Sequence, residues 1–181
     1  MTTRERMQSG KLYFCTDEEI AKEQLECLEI LYDYNHTRPS ESQKREQILK
    51  NLLAEIGENC YIEPPLHANW GKYTHFGNNV YANFNLTLVD DTDIFVGDNV
   101  MFGPNVIIAT AGHPVDPPLR EKVAQFNIPV RIGKNVWIGG RRNRIARGND
   151  WGSFSHRSRE RCYKRYPTQC GCGRKPVPGA A

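Results

Sequence analysis

Apolar residues recur every six positions through the middle of this chain. Trp70, Phe76, Ala82, Leu88, Ile94, Val100 and Val106 form one row, and Val96, Phe102 and Ile108 form a second. The rows resume at Val130 and Val136 and at Ile132 and Ile138. An α-helix repeats every ~3.6 residues and a strand every two, so neither produces such a row. A six-residue period belongs to a parallel β-helix. Each unit is then one flat face, three faces close a coil, and the row residues fill a narrow core. Gly77, Gly97, Gly103, Gly133 and Gly139 directly follow row residues, where corners call for small or φ-permissive residues. Asn78-Asn79, Asp98-Asn99 and Lys134-Asn135 add polar turn chemistry beside them. The chain is therefore expected to be mainly β, with the β-helix over 59–140.

Residues 1–58 read as a helical segment. Asp17-Glu18-Glu19 is a helix start with Thr16 as N-cap, followed by Ile20, Leu25, Leu28, Leu31 and Tyr32 at helical spacing. After a break at 35–39, Ser40 and Gln43 suggest a capping box. Ile48, Leu49, Leu52, Leu53 and Ile56 then give one apolar stripe, and Gly57 reads as a C-cap. Amphipathic helices need a surface to lie on. Residues 109–129 interrupt the six-residue pattern with four prolines and are expected to be an extruded loop. Loops thrown out of a rigid scaffold commonly carry function, and this one holds Gly112-His113-Pro114.

No apolar run approaches the ~20 residues of a membrane span. The N-terminus lacks the apolar stretch of a signal peptide. The six cysteines suggest reduced thiols rather than a disulfide framework, and Cys170-Gly171-Cys172 has no matching pair for a zinc knuckle. The expectation is a cytoplasmic protein with no membrane partner. Charge is unevenly placed. Residues 141–181 hold 11 of the 24 Lys/Arg and 2 of the 21 Asp/Glu, a balance of +9 against −6 in the remainder.

Tyr81-Ala82-Asn83-Phe84-Asn85, Val89-Asp90-Asp91, Gly112-His113-Pro114-Val115 and Ile132-Gly133-Lys134-Asn135-Val136-Trp137-Ile138-Gly139 together resemble the galactoside and maltose O-acetyltransferases. These belong to the hexapeptide-repeat acyltransferases. Gly10-Lys11-Leu12-Tyr13 and Tyr34-Asn35-His36 are similar too, so the resemblance runs over about residues 5–140. It implies a left-handed coil, an obligate homotrimer with sites between subunits, acetyl-CoA as co-substrate and a sugar as acceptor.

The resemblance also implies site residues. His113 matches the catalytic histidine. A histidine near neutral pKa can take the proton of a sugar hydroxyl and return it to the departing thiolate. The other reading of a lone loop histidine is a surface residue. The remaining histidines, His36, His67, His75 and His156, lack such a context, and His36 reads as structural or as a helix-cap partner. Asn83 matches a position that helps hold the acceptor and the developing oxyanion, or else it is a polar corner. Asp91 and Asp17 match positions that grip sugar hydroxyls, with helix-start acid as the rival for Asp17. Tyr81 and Asn69 complete the expected acceptor site, Tyr81 with packing as an equal alternative. Trp137, which lines the acceptor or the pantetheine channel, and Gly140 are placed on the coenzyme side. No metal site is expected.

The sequence departs from the family after Gly140, where no six-residue row survives and relatives continue with further coils. The segment 141–181 is expected to be irregular. Back-translated and read one base later, Arg141 to Trp151 can become Val-Val-Ile-Val-Leu-Pro-Gly-Val-Thr-Ile-Gly. Phe154 to Tyr166 can likewise become Ser-Val-Ile-Gly-Ala-Gly-Ser-Val-Val-Thr-Lys-Asp-Ile. These look like the missing coils and point to a frameshift near codon 140, with a genuine basic tail as the rival reading. Two rival functions stand beside acetyl transfer. One is a zinc carbonic anhydrase on the same fold, which needs three converging histidines. The other is a nucleic-acid binder using the basic tail; the leading reading expects no nucleic-acid partner.

Overall fold

The structure is a computed structural model that describes residues 1–14 and 18–139, with the backbone of two further strands at Arg142–Ile145 and Cys162–Lys164. The chain opens with a short helix α1 (Thr3–Met7) and a strand β1 (Tyr13–Phe14), neither of which the apolar pattern announces. Helices α2 (Glu18–Asn35) and α3 (Ser42–Leu52) follow.

Eleven strands build the coil. Before the loop come β2 (Glu55–Ile56), β3 (Tyr61–Ile62), β4 (Leu66–Ala68), β5 (Thr74–Phe76), β6 (Tyr81–Ala82), β7 (Leu86–Val89), β8 (Ile94–Val96), β9 (Met101–Phe102) and β10 (Val106–Ala109). The loop holds β11 (Ala111–Gly112), α4 (Pro117–Glu121) and β12 (Ala124–Asn127), after which β13 (Val130–Ile132) and β14 (Val136–Ile138) resume the coil. Three parallel sheets result, ordered β10-β7-β4, β13-β8-β5-β2 and β14-β9-β6-β3.

The row residues behave as the six-residue period requires. Phe76, Ala82, Leu88, Ile94, Val100 and Val106 are buried in one continuous core with Val96, Phe102, Ile108, Val130, Ile132, Val136 and Ile138. Trp70 is the exception: it belongs to a separate cluster with Met7, Tyr13 and Ile20.

The coil is longer than three six-residue faces. Stacked partners stand twenty residues apart, as in Leu66 beside Leu86, Thr74 beside Ile94 and Tyr81 beside Met101. The extra residues sit at one corner, between β4 and β5 and again between β7 and β8. The row survives because each face has two inward positions, such as Leu86 with Leu88 and Ile94 with Val96. The step from Leu88 to Ile94 simply moves from one inward column to the other. At the next turn the same corner opens into the 110–129 loop, and Val130 then pairs with Ile94.

Corner chemistry also differs from expectation. Asn59, Asn79, Asn99 and Asn135 take the left-handed backbone, with φ between 56 and 59°, and Asn85 and Asn105 do the same at another corner. Asparagine tolerates that region because its side chain bonds locally. Here the amides of Asn59, Asn79 and Asn99 bond one another up the coil. The glycines serve closeness instead. A Cβ on Gly97 would stand 2.8 Å from the Lys134 backbone nitrogen, and one on Gly77 would stand 2.9 Å from that of Asp98.

In the helical segment the buried face of α2 is Ile20, Cys27, Leu31 and Tyr34, while Leu25, Leu28 and Tyr32 of the expected stripe are exposed. Tyr34 donates its hydroxyl to the Ile62 carbonyl at 2.6 Å, and the Asn35 amide brackets the Leu66 backbone. These polar anchors fix which face turns inward. Ser40 does not cap α3, whose N-cap is Glu41 without a side-chain bond. Gly57 is no C-cap either: α3 ends at Leu52, and Gly57 lies at a coil corner against Gly77 and Asn78. His36 bonds the Tyr32 carbonyl at 2.7 Å, as a helix-end partner. Thr16 and Asp17 lie outside the described residues.

Beyond Gly139, β15 (Arg142–Ile145) pairs in parallel with β10, and β16 (Cys162–Lys164) pairs antiparallel with β14. The segment expected to be irregular thus contributes two strands. The physical reason is the open edge of the last coil, whose backbone N–H and C=O groups need partners.

Candidate active site at the wide corner

The corner that gained residues is also where polar groups enter the interior. Asp90 is fully buried. Its carboxylate accepts from the backbone N–H groups of Asn69 at 3.0 Å and Trp70 at 2.9 Å, and from the Thr74 hydroxyl at 3.2 Å. These bonds favour the charged form, but burial outweighs them and pushes the carboxyl up to about 7.

Asp91 beside it carries a different shell. One oxygen accepts from the Asn69 amide at 2.7 Å and the Trp70 indole at 3.0 Å, and the other accepts from the Gln125 amide. Gln125 lies on β12, which forms a three-stranded antiparallel sheet with β1 and β11. The Tyr13 hydroxyl, on β1, accepts from the amides of Gln125 at 2.6 Å and Asn127 at 3.0 Å. Asn127 also donates to the Met7 and Asp91 carbonyls, both at 3.1 Å. The N-terminal strap, the wide corner and the extruded loop are thereby joined in one buried polar network.

His113 follows β11 and is exposed. Its Nδ1 lies 2.9 Å from the Ala124 carbonyl on β12. A carbonyl can only accept, so that contact puts the proton on Nδ1 and leaves the Nε2 lone pair free. The imidazole is thus held in one tautomer by the strand that also carries Gln125. The Arg120 guanidinium holds the loop, donating to the Val115 carbonyl at 2.6 Å.

A family model described as "Maltose acetyltransferase hexapeptide capping motif" matches residues 6–57. The chain is 43% identical to galactoside O-acetyltransferase of Escherichia coli (strain K12) over 139 residues, covering 77% of this chain and 68% of that protein. This chain belongs to the galactoside and maltose O-acetyltransferase family. It is 54% identical to galactoside O-acetyltransferase of Lactococcus lactis subsp. lactis (strain IL1403) over 135 residues, 74% of this chain and 65% of that protein. The match thus spans about two thirds of those relatives. Among solved structures, a galactoside acetyltransferase in complex with coenzyme A is 41% identical with a TM-score of 0.78, covering 80% of this chain and 72% of that one. A maltose O-acetyltransferase from Clostridium difficile 630 is 40% identical with the same TM-score, covering 80% and 78%. The coil is the left-handed parallel β-helix of the hexapeptide-repeat acetyltransferases.

Within one chain the family's expected site residues fall into two groups. Asn69 and Asp91 bond each other, and β12 links them to His113. Tyr81, Asn83 and Trp137 lie on a different sheet. Tyr61, Tyr81, Met101 and Trp137 are in register along β3, β6, β9 and β14, with the Tyr61 and Tyr81 rings stacked at 6.4 Å. Asn83, at the end of β6, accepts from the Phe84 N–H at 2.7 Å. Among the described residues, no hydrogen bond joins His113 to Tyr81 or Asn83. Asp17 and Gly140 lie outside the described residues. No three His, Cys, Asp or Glu side chains among the described residues are grouped to hold a metal, and no described helix is long and apolar enough to cross a membrane.

Sequence reasoning missed Trp70, Gln125, Asn127 and Tyr13 as members of the site network. Trp70 stands in phase with the apolar row, which disguised its indole as core. Gln125 and Asn127 alternate across Phe126 between two apolar stretches, a period-two signal that was legible but short.

Proposed function

We propose that this chain transfers an acetyl group from acetyl-CoA to a hydroxyl of a galactoside, maltose or similar sugar, with His113 as the general base. The orientation of His113 by the Ala124 carbonyl carries the reading. Nε2 takes the proton of the sugar hydroxyl as its oxygen attacks the thioester carbonyl. The C–S bond then breaks, and the imidazolium returns the proton to the coenzyme thiolate, so that the products are the sugar acetate and free CoA. Asp91 and Asn69 hold the acceptor with Asp17 and Tyr81. Asn83 offers an uncharged amide donor to the oxyanion. Trp137 and Gly140 serve the coenzyme side.

We further propose a homotrimer in the cytoplasm. The two groups of site residues lie on different faces of one coil, which suits a site completed by a neighbouring subunit. The exposed Tyr61, Phe84, Met101 and Trp137 supply apolar area for such a contact. Cys27 and Cys60 are free, in keeping with a reducing compartment. The frameshift near codon 140 is the proposed origin of the tail. The 135–140 residues aligned to the first four curated relatives support it, because that length matches the chain up to the departure.

The experiment measures sugar-dependent release of CoA thiol, with light scattering for mass, on the chain as written and on a frame-restored version. The restored protein should be a trimer that releases thiol only when sugar is present, and the written chain should be weak in both. A restored protein without sugar-dependent release overturns the functional reading.

A further inference from the structure

Gln125 belongs to none of the roles above, yet its amide meets the acceptor carboxylate. A carboxylate presents about four lone-pair positions to donors. On Asp91 three are taken by N–H groups, from Asn69, Trp70 and Gln125. All three donors are uncharged and come from two separate stretches of chain. Two belong to the corner that follows β4 and the third to the loop strand β12. Asp91 itself is 7% exposed, so only a small part of it meets the surface.

We infer that Gln125 is a specificity-determining positioning residue: it closes the donor cage around Asp91 so that the carboxylate has one open acceptor position and grips the sugar through a single hydroxyl. The inference rests on the proposed acceptor role of Asp91. Without the Gln125 amide, two positions are open on one carboxylate, and a pair of neighbouring hydroxyls can chelate it. Gln125 therefore narrows the choice of sugar by blocking the two-hydroxyl grip. Its neighbour Ala124 orients His113, so a shift of β12 moves the base and the acceptor carboxylate together.

The test uses the full chain and the variant Gln125→Met, which keeps length and volume but cannot donate. Ligand-observed NMR measures binding of methyl galactoside and of its monodeoxy analogues. The parent should lose roughly tenfold in affinity for one analogue and little for the others, the size of one hydrogen bond to a charged group. In Gln125→Met the deoxy penalty should change several-fold at that hydroxyl and appear at an adjacent one, with the remaining analogues unaffected. A uniform change across all analogues, or none, overturns the inference. Trp70→Phe removes another donor from the same carboxylate and should reproduce the spread to a second hydroxyl, which guards against a misfolded first variant. The Trp70 indole N–H resonance, read by heteronuclear NMR, reports on Asp91 without any sugar. It should move in Gln125→Met, and an unmoved signal defeats the positioning role. If the indole signal moves but neither the parent nor the frame-restored version binds galactoside, the sugar-acetylating function fails while the pairing of Gln125 with Asp91 stands.

Discussion

Two corners of the same coil have been put to opposite uses. The narrow corner at Gly57–Asn59, Gly77–Asn79, Gly97–Asn99 and Gly133–Asn135 repeats a glycine and an asparagine around one variable residue. Asparagines in left-handed backbone carry a ladder of amide bonds there, and glycines let successive turns close on one another. The wide corner changes at each turn, from Asn69–Tyr73 to Asp90–Asp93 to the 110–129 loop. It holds buried Asp90 and Asp91, the Gln125 and Asn127 amides, and His113 at its rim. The lesson is that a repeat scaffold can confine its irregular, polar residues to one column. The narrow corner keeps the turns in register, so residues can be added opposite it without disturbing the core.

The largest break in this comparison is expected at His113. In the frame-restored version His113→Ala should lower kcat by roughly 10²–10⁴-fold, the usual size for a lost general base, with little change in the thermal melt. Turnover within a few-fold of the parent removes His113 from the role. The exposed loop position makes the variant structurally harmless, in contrast to any change at the narrow corner.

Asp90 gives a smaller effect that depends on pH. Its carboxyl stands at about 7 in the fold against an ordinary value of 3.8. The folded protein therefore keeps this proton where the unfolded chain has lost it. Its contribution to stability is whole below about pH 4, declines as pH rises to about 7, and is flat above. Asp90→Asn removes that decline because an amide does not titrate, and its oxygen still accepts from the Asn69 and Trp70 N–H groups. Melts of both proteins across the window should diverge by a few kcal/mol at most, the variant gaining relative to the parent as pH rises. Parallel curves would show that Asp90 does not titrate there.

At the narrow corner, Gly97→Ala should destabilise by roughly 1–3 kcal/mol, since its Cβ meets backbone rather than a movable side chain. Chemical denaturation measures it, and a neutral result breaks the account of close approach. The smallest expected effect separates conformation from ladder at Asn79. Asn79→Gly keeps the left-handed backbone but loses the amide bonds, costing about 1 kcal/mol. Asn79→Ala loses both and should cost about 1–2 kcal/mol more. Equal losses would mean that φ is not strained there.

The six-residue row made the β-helix legible because core filling demands an inward apolar residue at every face. The same logic hid the wide corner. Trp70 and Leu88 keep the phase of the row while the coil gains residues between them and the next face, so the spacing alone implied a shorter turn. The expected stripe of α2 failed for a related reason. Leu25, Leu28 and Tyr32 have the right spacing, but the bonds of Tyr34 and Asn35 to the coil select the adjacent face. His113 and Asp91 stand in motifs that the sequence shows. Gln125 stands in none, and the bonds of Gln125 and Tyr13 were hidden because their polar partners are more than thirty residues away in the chain.

What the amino-acid sequence determined by itself is the repeat, the position of the extruded loop and the family, each written in local order and spacing. What only the tertiary structure decided is which side chains share a site. Hydrogen bonds between Asp91, Gln125, Tyr13 and Asn127 form only after the coil has wound and the N-terminal strap has paired with β12. Directional bonds between distant segments leave no period in the sequence, whereas apolar burial along a repeating face does.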